Sequence, residues 1–156
     1  MKIIPVKPLT EESFARYGTV ITTHNRPYGG EEGIYRWYEK QAEVTDAQTV
    51  SINLLTAVER PFTCQKFEMH ARTTETILPL TGDMIVAGIP AGEPTADRLE
   101  AFYVPQGTGI CWGPGVWHFA PYSLKGDTTC AIIFRHGTGG DDAVIIHLPE
   151  EVGIER

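Results

Sequence analysis

The residues with the clearest capacity for chemistry lie in one short segment, Glu68 to Gly82 (EMHARTTETILPLTG), which carries two Glu and one His. Polar and apolar residues alternate in the run KFEMH, so a strand here would place Lys66, Glu68 and His70 on one face. A second cluster, Gly113 to His118 (GPGVWH), offers another imidazole after a turn. The simplest alternative is that the polar face of the strand only contacts water.

Glu68, His70, Glu75 and His118 together offer two nitrogen and two oxygen donors. Such a set suits a borderline divalent ion, namely Mn, Fe, Ni, Co or Zn, rather than Ca or Mg. Without a metal, the same four side chains would form a general acid/base cluster. The sequence therefore predicts either no cofactor or one divalent transition metal, and it leaves the two alternatives open.

Short strands must position these residues, because the chain is rich in turn signals. Its 156 residues include 16 Gly and 11 Pro, a pattern that predicts roughly ten short strands in a jelly roll or barrel. The run from Thr10 to Gly18 predicts a brief helix that Thr10 caps. A turn at Thr81 to Asp83 is predicted to join two strands in a hairpin. We thus expect one all-β domain, residues 1–156, with a short N-terminal helix.

Further candidates for substrate binding lie on other predicted strands. The run Val50 to Leu54 alternates, with Ser51 and Asn53 on its polar face. If that face is the interior of a barrel, both side chains can form hydrogen bonds with a substrate. Trp117, next to His118, is predicted to be core or a wall of the pocket.

Composition and charge exclude several classes of function. The net charge is −7 and the chain has no run of Lys or Arg, which argues against nucleic acid and membrane surfaces as partners. Pro5 and Pro8 interrupt the N-terminal apolar run, so neither a signal peptide nor a membrane span is predicted, and a cytoplasmic location is expected. The 3 Cys form no CxxC pair, which argues against disulfides and a thiolate zinc site.

The spacing of the central residues resembles the first motif of the cupin superfamily. That motif is matched by His70, Glu75 and Gly82 with four and six residues between them. It begins with a histidine at the position that Glu68 occupies here. The second cupin motif resembles the segment Pro114 to His118, although the proline is displaced by one place.

The order of motifs along nearly the whole chain resembles the ureidoglycolate lyase family. The matching segments begin with PLTEESFARYGTVI near the N-terminus and end with an arginine and glycines after a late strand. In chain order they are Pro8 to Ile21, Ser51 to Asn53, His70 and Glu75 with the turn Pro79 to Asp83, Val116 to His118, and Arg135 to Gly140. We expect HPxxxQ in that family where this chain has HARTTE, so that Glu75 replaces a neutral amide.

The resemblance implies a cupin-like β-barrel that is usually a homodimer. It also implies a carbon–nitrogen lyase of the amidine-lyase type, which splits ureidoglycolate into glyoxylate and urea during the degradation of allantoin and purines. Its substrate is a small anion, which a carboxylate at Glu75 would repel unless that carboxylate were protonated or bound to a metal.

That reaction requires a base for the hydroxyl proton, an acid for the departing urea nitrogen and a partner for the substrate carboxylate. The predicted base is Glu75 or Glu68, provided that desolvation raises its pKa. The predicted acid is His118 or His70. The predicted partner of the substrate carboxylate is Arg135, with Arg72 or Lys66 as substitutes.

Two functions from other classes stay open at this point. The four donor residues would also suit a metal-dependent cupin isomerase or dioxygenase that acts on another small hydroxy or keto acid. A cupin that binds a ligand without catalysis is the second alternative, since one fold serves many functions.

Overall fold

The computed structural model describes residues 1–30 and 33–156, and strands dominate this part of the chain. Two short α-helices, α1 (Glu11–Phe14) and α2 (Thr138–Asp141), and one 3₁₀ helix (Ala96–Arg98) accompany the strands. The strands are β1 (Lys2–Pro8), β2 (Gly18–Ile21), β3 (Val50–Ala57), β4 (Thr63–Met69), β5 (Glu75–Pro79), β6 (Met84–Ile89), β7 (Glu100–Val104), β8 (Gly109–Trp112), β9 (Trp117–His118), β10 (Tyr122–Ser123), β11 (Thr128–Arg135) and β12 (Val144–Glu155).

The strands form two sheets, which together make a closed barrel. The first sheet has the order β10-β6-β7-β1-β12-β4-β9, and an additional pairing joins its last strand, β9, to β6, the second strand of that order. The second sheet has the order β2-β8-β5-β11-β3, so β3 lies at its edge. The predicted all-β barrel with a short N-terminal helix is therefore confirmed.

The N-terminal helix is shorter than the sequence predicted. It covers Glu11–Phe14, and the Thr10 side chain accepts a hydrogen bond from the Ser13 amide as the predicted N-cap. The Ser13 hydroxyl in turn accepts a bond from the Thr10 amide, which completes a capping box. Phe14, the last residue of the helix, and Tyr17, in the turn that follows it, pack against Phe102 in the core.

The predicted hairpin at Thr81 to Asp83 is wrong. Strand β5, before this turn, pairs with β8 and β11 in the second sheet, whereas β6 pairs with β7, β9 and β10 in the first. The turn thus carries the chain from one sheet to the other. As a result Glu75, at the start of β5, faces residues of β4 and β9 across the barrel.

Two clusters of buried apolar residues hold the sheets in place. One centres on Phe14, Phe102 and Trp112, and the other on Phe67, Ile85 and Ile89. All three cysteines, Cys64, Cys111 and Cys130, are buried and free. Within residues 1–30 and 33–156, no helix is long and apolar enough to cross a membrane.

Candidate active site

Four residues from three strands and one loop meet at one end of the barrel. Antiparallel pairing of β4 with β9 places Glu68 directly opposite His118. His70 follows the end of β4, and Glu75 opens β5 in the other sheet. One donor atom from each of these residues lies within 4.8 Å of the donor atoms of the other three. The structure therefore brings together all four residues that the sequence singled out for chemistry.

Both imidazole rings present the same nitrogen to this site. His70 Nδ1 lies 2.7 Å from the backbone oxygen of Asp142, and His118 Nδ1 lies 3.0 Å from that of Val116. Because a carbonyl oxygen only accepts hydrogen bonds, each Nδ1 carries the proton and each Nε2 faces Glu75. The Glu75 Oε2 atom lies 3.2 Å from His70 Nε2 and 3.5 Å from His118 Nε2.

The two histidines determine the charge of Glu75. Burial by itself raises the pKa of this carboxyl group, but His118 and His70 outweigh it and lower the pKa to about 2. For His70 the effects have the opposite signs. Burial lowers the pKa of its imidazole, whereas its hydrogen bonds with Glu75 and with the Asp142 carbonyl raise the pKa above its ordinary value. Glu75 is thus held as a carboxylate, which makes it a weak base. The prediction that desolvation raises the pKa of Glu75, on which its role as the base depended, is therefore wrong.

A stacked indole fixes the position of His118. The Trp112 ring lies 5.4 Å from the His118 ring, with an angle of 13° between their planes. Trp112 can approach this closely because Gly88, opposite His118 on β6, has no side chain. A Cβ atom at Gly88 would lie 2.9 Å from two carbons of the Trp112 ring, closer than packed atoms allow.

A cavity of about 350 Å³ opens next to the four residues and is lined by both Glu68 and Glu75. Most of its wall is apolar and comes from β3, β11 and the segment after β9. The other lining residues are Asn53, Leu54, Leu55, Phe119, Ala120, Pro121, Ile132 and Phe134. Glu68 is half-buried, whereas His70, Glu75 and His118 are buried. Glu68 is therefore the member of the group that is most open to a substrate.

The remaining predicted binding residues lie in different places. Asn53 lines the cavity, and its side-chain amide donates to the Ile132 carbonyl oxygen at 3.3 Å. The Lys66 ammonium group lies over the ring of Phe119, 4.9 Å from its centre, and Phe119 lines the cavity. Ser51 instead forms a hydrogen bond of 2.8 Å with His136 Nδ1.

Arg72 and Arg135 do not line this cavity. They lie together in a second group of residues with both signs of charge, where Arg135 forms an ion pair with Asp141 and Arg72 lies 3.4 Å from Asp46. Trp117 is in the core, and its indole nitrogen donates to the Gly92 carbonyl oxygen at 3.0 Å. Successive residues of a strand point to opposite faces, so Trp117 points away from the side that His118 occupies.

Sequence reasoning missed two features of the site. The apolar wall formed by Phe119, Ile132 and Phe134 resembles ordinary core sequence, and only the cavity distinguishes it. Asp142, whose backbone binds His70, lies in a glycine-rich stretch that has the composition of a surface loop. The sequence alone contains no signal that connects Asp142 with His70.

The donor set fits a divalent transition metal. In a tetrahedral site with bonds of about 2.0–2.1 Å, neighbouring donor atoms lie roughly 3.3–3.4 Å apart, and the two distances from Glu75 Oε2 to the histidines are 3.2 and 3.5 Å. His118 Nε2 is buried and has no hydrogen-bond partner within the described residues. Both imidazoles donate their other nitrogen to a backbone carbonyl, which is usual for histidines that bind metals.

Comparisons with known proteins point to one family. The model of a family described as ureidoglycolate lyase matches residues 1–155. A ureidoglycolate lyase from Azotobacter vinelandii is 29% identical, over 96% of this chain and 100% of that protein. A ureidoglycolate lyase from Escherichia coli is 28% identical, over 95% of this chain and 96% of that protein.

A solved structure is similar in fold alone. It is a dTDP-6-deoxy-D-glucose-3,5-epimerase from Legionella pneumophila, with a TM-score of 0.50, 14% identity and coverage of 87% of each chain. The coverage includes most of the barrel described above.

Proposed function

Because the chain belongs to the ureidoglycolate lyase family, we propose that it is a carbon–nitrogen lyase that cleaves ureidoglycolate into glyoxylate and urea. The observation that carries the mechanism is the position of Glu68, a half-buried carboxylate that lines the cavity beside three buried donor residues. The family match and the order of site residues along the chain support the same reaction. Its role in the degradation of allantoin and purines follows from the family.

Glu68 is the residue we assign to proton transfer. Its carboxylate takes the proton of the substrate hydroxyl group, and the carbon–oxygen single bond becomes the carbonyl of glyoxylate as the carbon–nitrogen bond breaks. The electron pair of that bond goes to the urea nitrogen, which then receives the proton from Glu68. The proton thus moves from oxygen to nitrogen with no net gain or loss. Glu75 is unsuited to this role because its pKa is low.

Lys66 is the proposed partner of the substrate carboxylate. Its ammonium group packs on Phe119, at the wall of the cavity. Arg72 and Arg135 are already paired with aspartates outside the cavity. A Lys66 ion pair would also offset the repulsion that Glu75 and Glu68 exert on an anionic substrate.

We assign His70, Glu75 and His118 as the residues that would hold one divalent transition metal. Two histidines and one glutamate form a ligand set that occurs in catalytic zinc sites, where one position stays open to substrate. A bound ion would supply a Lewis acid that makes the substrate hydroxyl group more acidic. This assignment leaves Glu68 free for proton transfer.

A homodimer is also proposed, with β3 as its contact strand. This strand is at the edge of its sheet, so the outer edge of its backbone has no partner strand within the described residues. Its side chain Ile52 lies outside the cavity lining and is 77% exposed, and long apolar edge strands tend to pair with other strands. The cytoplasmic location stays a prediction from the sequence.

The test is an assay of urea and glyoxylate release from racemic ureidoglycolate, with and without a chelator. The Glu68→Gln variant should lose on the order of 10²–10⁴ in kcat. The matched control is Glu150→Gln, an exposed glutamate on β12, which should behave like the wild-type protein. Equal activity of both variants would contradict the role of Glu68.

The same assay on the wild-type protein tests both the metal assignment and the lyase function. Turnover that stops with the chelator and returns with added metal supports the metal assignment. Turnover that survives chelation contradicts it and leaves the acid/base cluster. A wild-type protein that contains metal but releases no urea would contradict the lyase function and favour an isomerase or dioxygenase on another small acid.

A further inference from the structure

Asp142 contacts four consecutive residues at the active site. Its backbone oxygen lies 2.7 Å from His70 Nδ1. Its Oδ1 accepts a hydrogen bond from the Ala71 amide at 3.0 Å, and its Oδ2 accepts bonds from the Arg72 and Thr73 amides at 3.0 and 3.1 Å. One residue therefore binds both the His70 ring and the backbone that follows it.

These contacts hold the residue as a buried carboxylate. Asp142 is only 8% exposed. Burial raises the pKa of this carboxyl group, but the amides of Arg72, Thr73 and Ala71 outweigh that effect and lower the pKa below its ordinary value. Three successive amides that point into one concavity form a binding site for an anion, and here the anion belongs to the chain itself.

The side chain of Asp142 also determines where its own carbonyl oxygen lies. The carboxylate is tied to residues 71–73, which directly follow His70, and the backbone amide of Asp142, the C-cap of α2, donates to the carbonyl oxygen of Thr138, the first residue of that helix. The carbonyl oxygen between these two anchors is thereby held at the His70 ring. Loss of the carboxylate contacts would release one anchor and leave the ring free to rotate.

We infer that Asp142 is a positioning residue that keeps the His70 imidazole oriented with Nε2 towards Glu75. The importance of this orientation for turnover rests on the lyase function proposed above. The same segment is also held by Thr45, whose hydroxyl donates to the Arg72 carbonyl oxygen at 2.7 Å. That contact fixes the loop but not the ring, so Asp142 has the specific role.

The inference is tested with Asp142→Asn, which keeps the size of the side chain but removes its charge and one accepting oxygen. The matched control is Asp141→Asn, because Asp141 is the neighbouring residue and pairs with Arg135 on the surface. Circular dichroism first establishes that each variant is folded.

The decisive readout is the Nδ1 proton of His70 in histidine labelled with ¹⁵N. The wild-type protein and Asp141→Asn should show this proton protected from exchange with water, whereas Asp142→Asn should show rapid exchange. The Asp142→Asn variant should also lose about 10–100-fold in kcat, the usual cost of removing a partner that orients such a ligand, with KM changed by less than about twofold.

An equally protected Nδ1 proton in Asp142→Asn would overturn the inference. So would a loss of kcat in Asp141→Asn as large as that in Asp142→Asn. The exchange measurement does not require turnover. A wild-type protein without urea release would therefore contradict the proposed function, while the His70 proton would still decide the role of Asp142.

Discussion

Glu75 Oε2 lies 3.5 Å from His118 Nε2, although the two residues belong to different sheets. Glu75 opens β5, and His118 ends the two-residue strand β9. The contact therefore depends on how the two sheets pack against each other. This contact between the two sheets lies beside the cavity, which Glu75 helps to line.

The first prediction concerns stability as a function of pH. The pKa of Glu75 is lowered to about 2 in the folded protein, so its contribution to stability is complete above the ordinary carboxyl pKa and is lost as the pH falls towards 2. The pKa of His70 is raised, so its contribution is complete below the ordinary histidine pKa and is lost as the pH rises through the raised value. The pair should thus stabilise the fold most between about pH 4.5 and 6.5.

The measurement is the midpoint of thermal unfolding against pH, in the presence of a chelator, for the wild-type protein and Glu75→Gln. The difference between the two should be largest in that pH range and should shrink on either side of it. A difference that does not change between pH 3 and pH 8 would contradict the ionised state of Glu75.

The second prediction concerns Gly88. The Gly88→Ala substitution places a methyl group 2.9 Å from the Trp112 ring, and the displaced ring stacks on His118. The free energy of unfolding should fall by roughly 1–3 kcal/mol, as is usual for overpacking. Chemical denaturation measures this effect. The control is Gly139→Ala, where an added Cβ meets no atom within 4 Å; a similar loss in both variants would show that crowding at Trp112 is not the cause.

The third prediction concerns the substrate carboxylate. Lys66→Met keeps the apolar part of the side chain and removes the charge above Phe119. Loss of a charged hydrogen bond worth about 1.5–3 kcal/mol should raise KM for ureidoglycolate roughly 10–100-fold. Steady-state kinetics measures the change, with the exposed residue Lys125 replaced by Met as the control. An unchanged KM in Lys66→Met would require another partner for the carboxylate.

The fourth prediction concerns oligomeric state. Ile52→Lys introduces a charge at the exposed edge strand β3, where burial against a second copy would be unfavourable. Light scattering after size-exclusion chromatography should show a dimer for the wild-type protein and a monomer for the variant. Ile3→Lys places the same charge at an exposed position of the other sheet and should remain a dimer. A monomeric wild-type protein would exclude the proposed dimer.

Local patterns in the sequence were sufficient for the fold class and for the four central residues. Alternation along KFEMH places Glu68 and His70 on the same side of a strand, because side chains of a strand repeat every two residues. The spacing from His70 to Glu75 and the turn before His118 carried the family resemblance, and the family match agrees with it. The cap at Thr10 was also predictable, because capping depends on neighbouring residues only.

Contacts between distant parts of the chain could not be predicted in this way. Arg135 ends β11, the strand whose Ile132 and Phe134 line the cavity, yet Asp141 binds its guanidinium group outside the cavity. The sequence predicts a hairpin at the turn after β5, but β5 and β6 belong to different sheets. A turn sequence does not reveal whether the next strand stays in the same sheet.

The sequence by itself determined which side chains can react, because residue type and strand periodicity are local properties. Only the tertiary structure decided their chemical states. The pKa of Glu75 depends on His118 in the other sheet and on His70 in the loop after β4, and we infer that the orientation of His70 depends on Asp142. Electrostatic interactions and hydrogen bonds act over a few ångströms in space, whatever the separation along the chain.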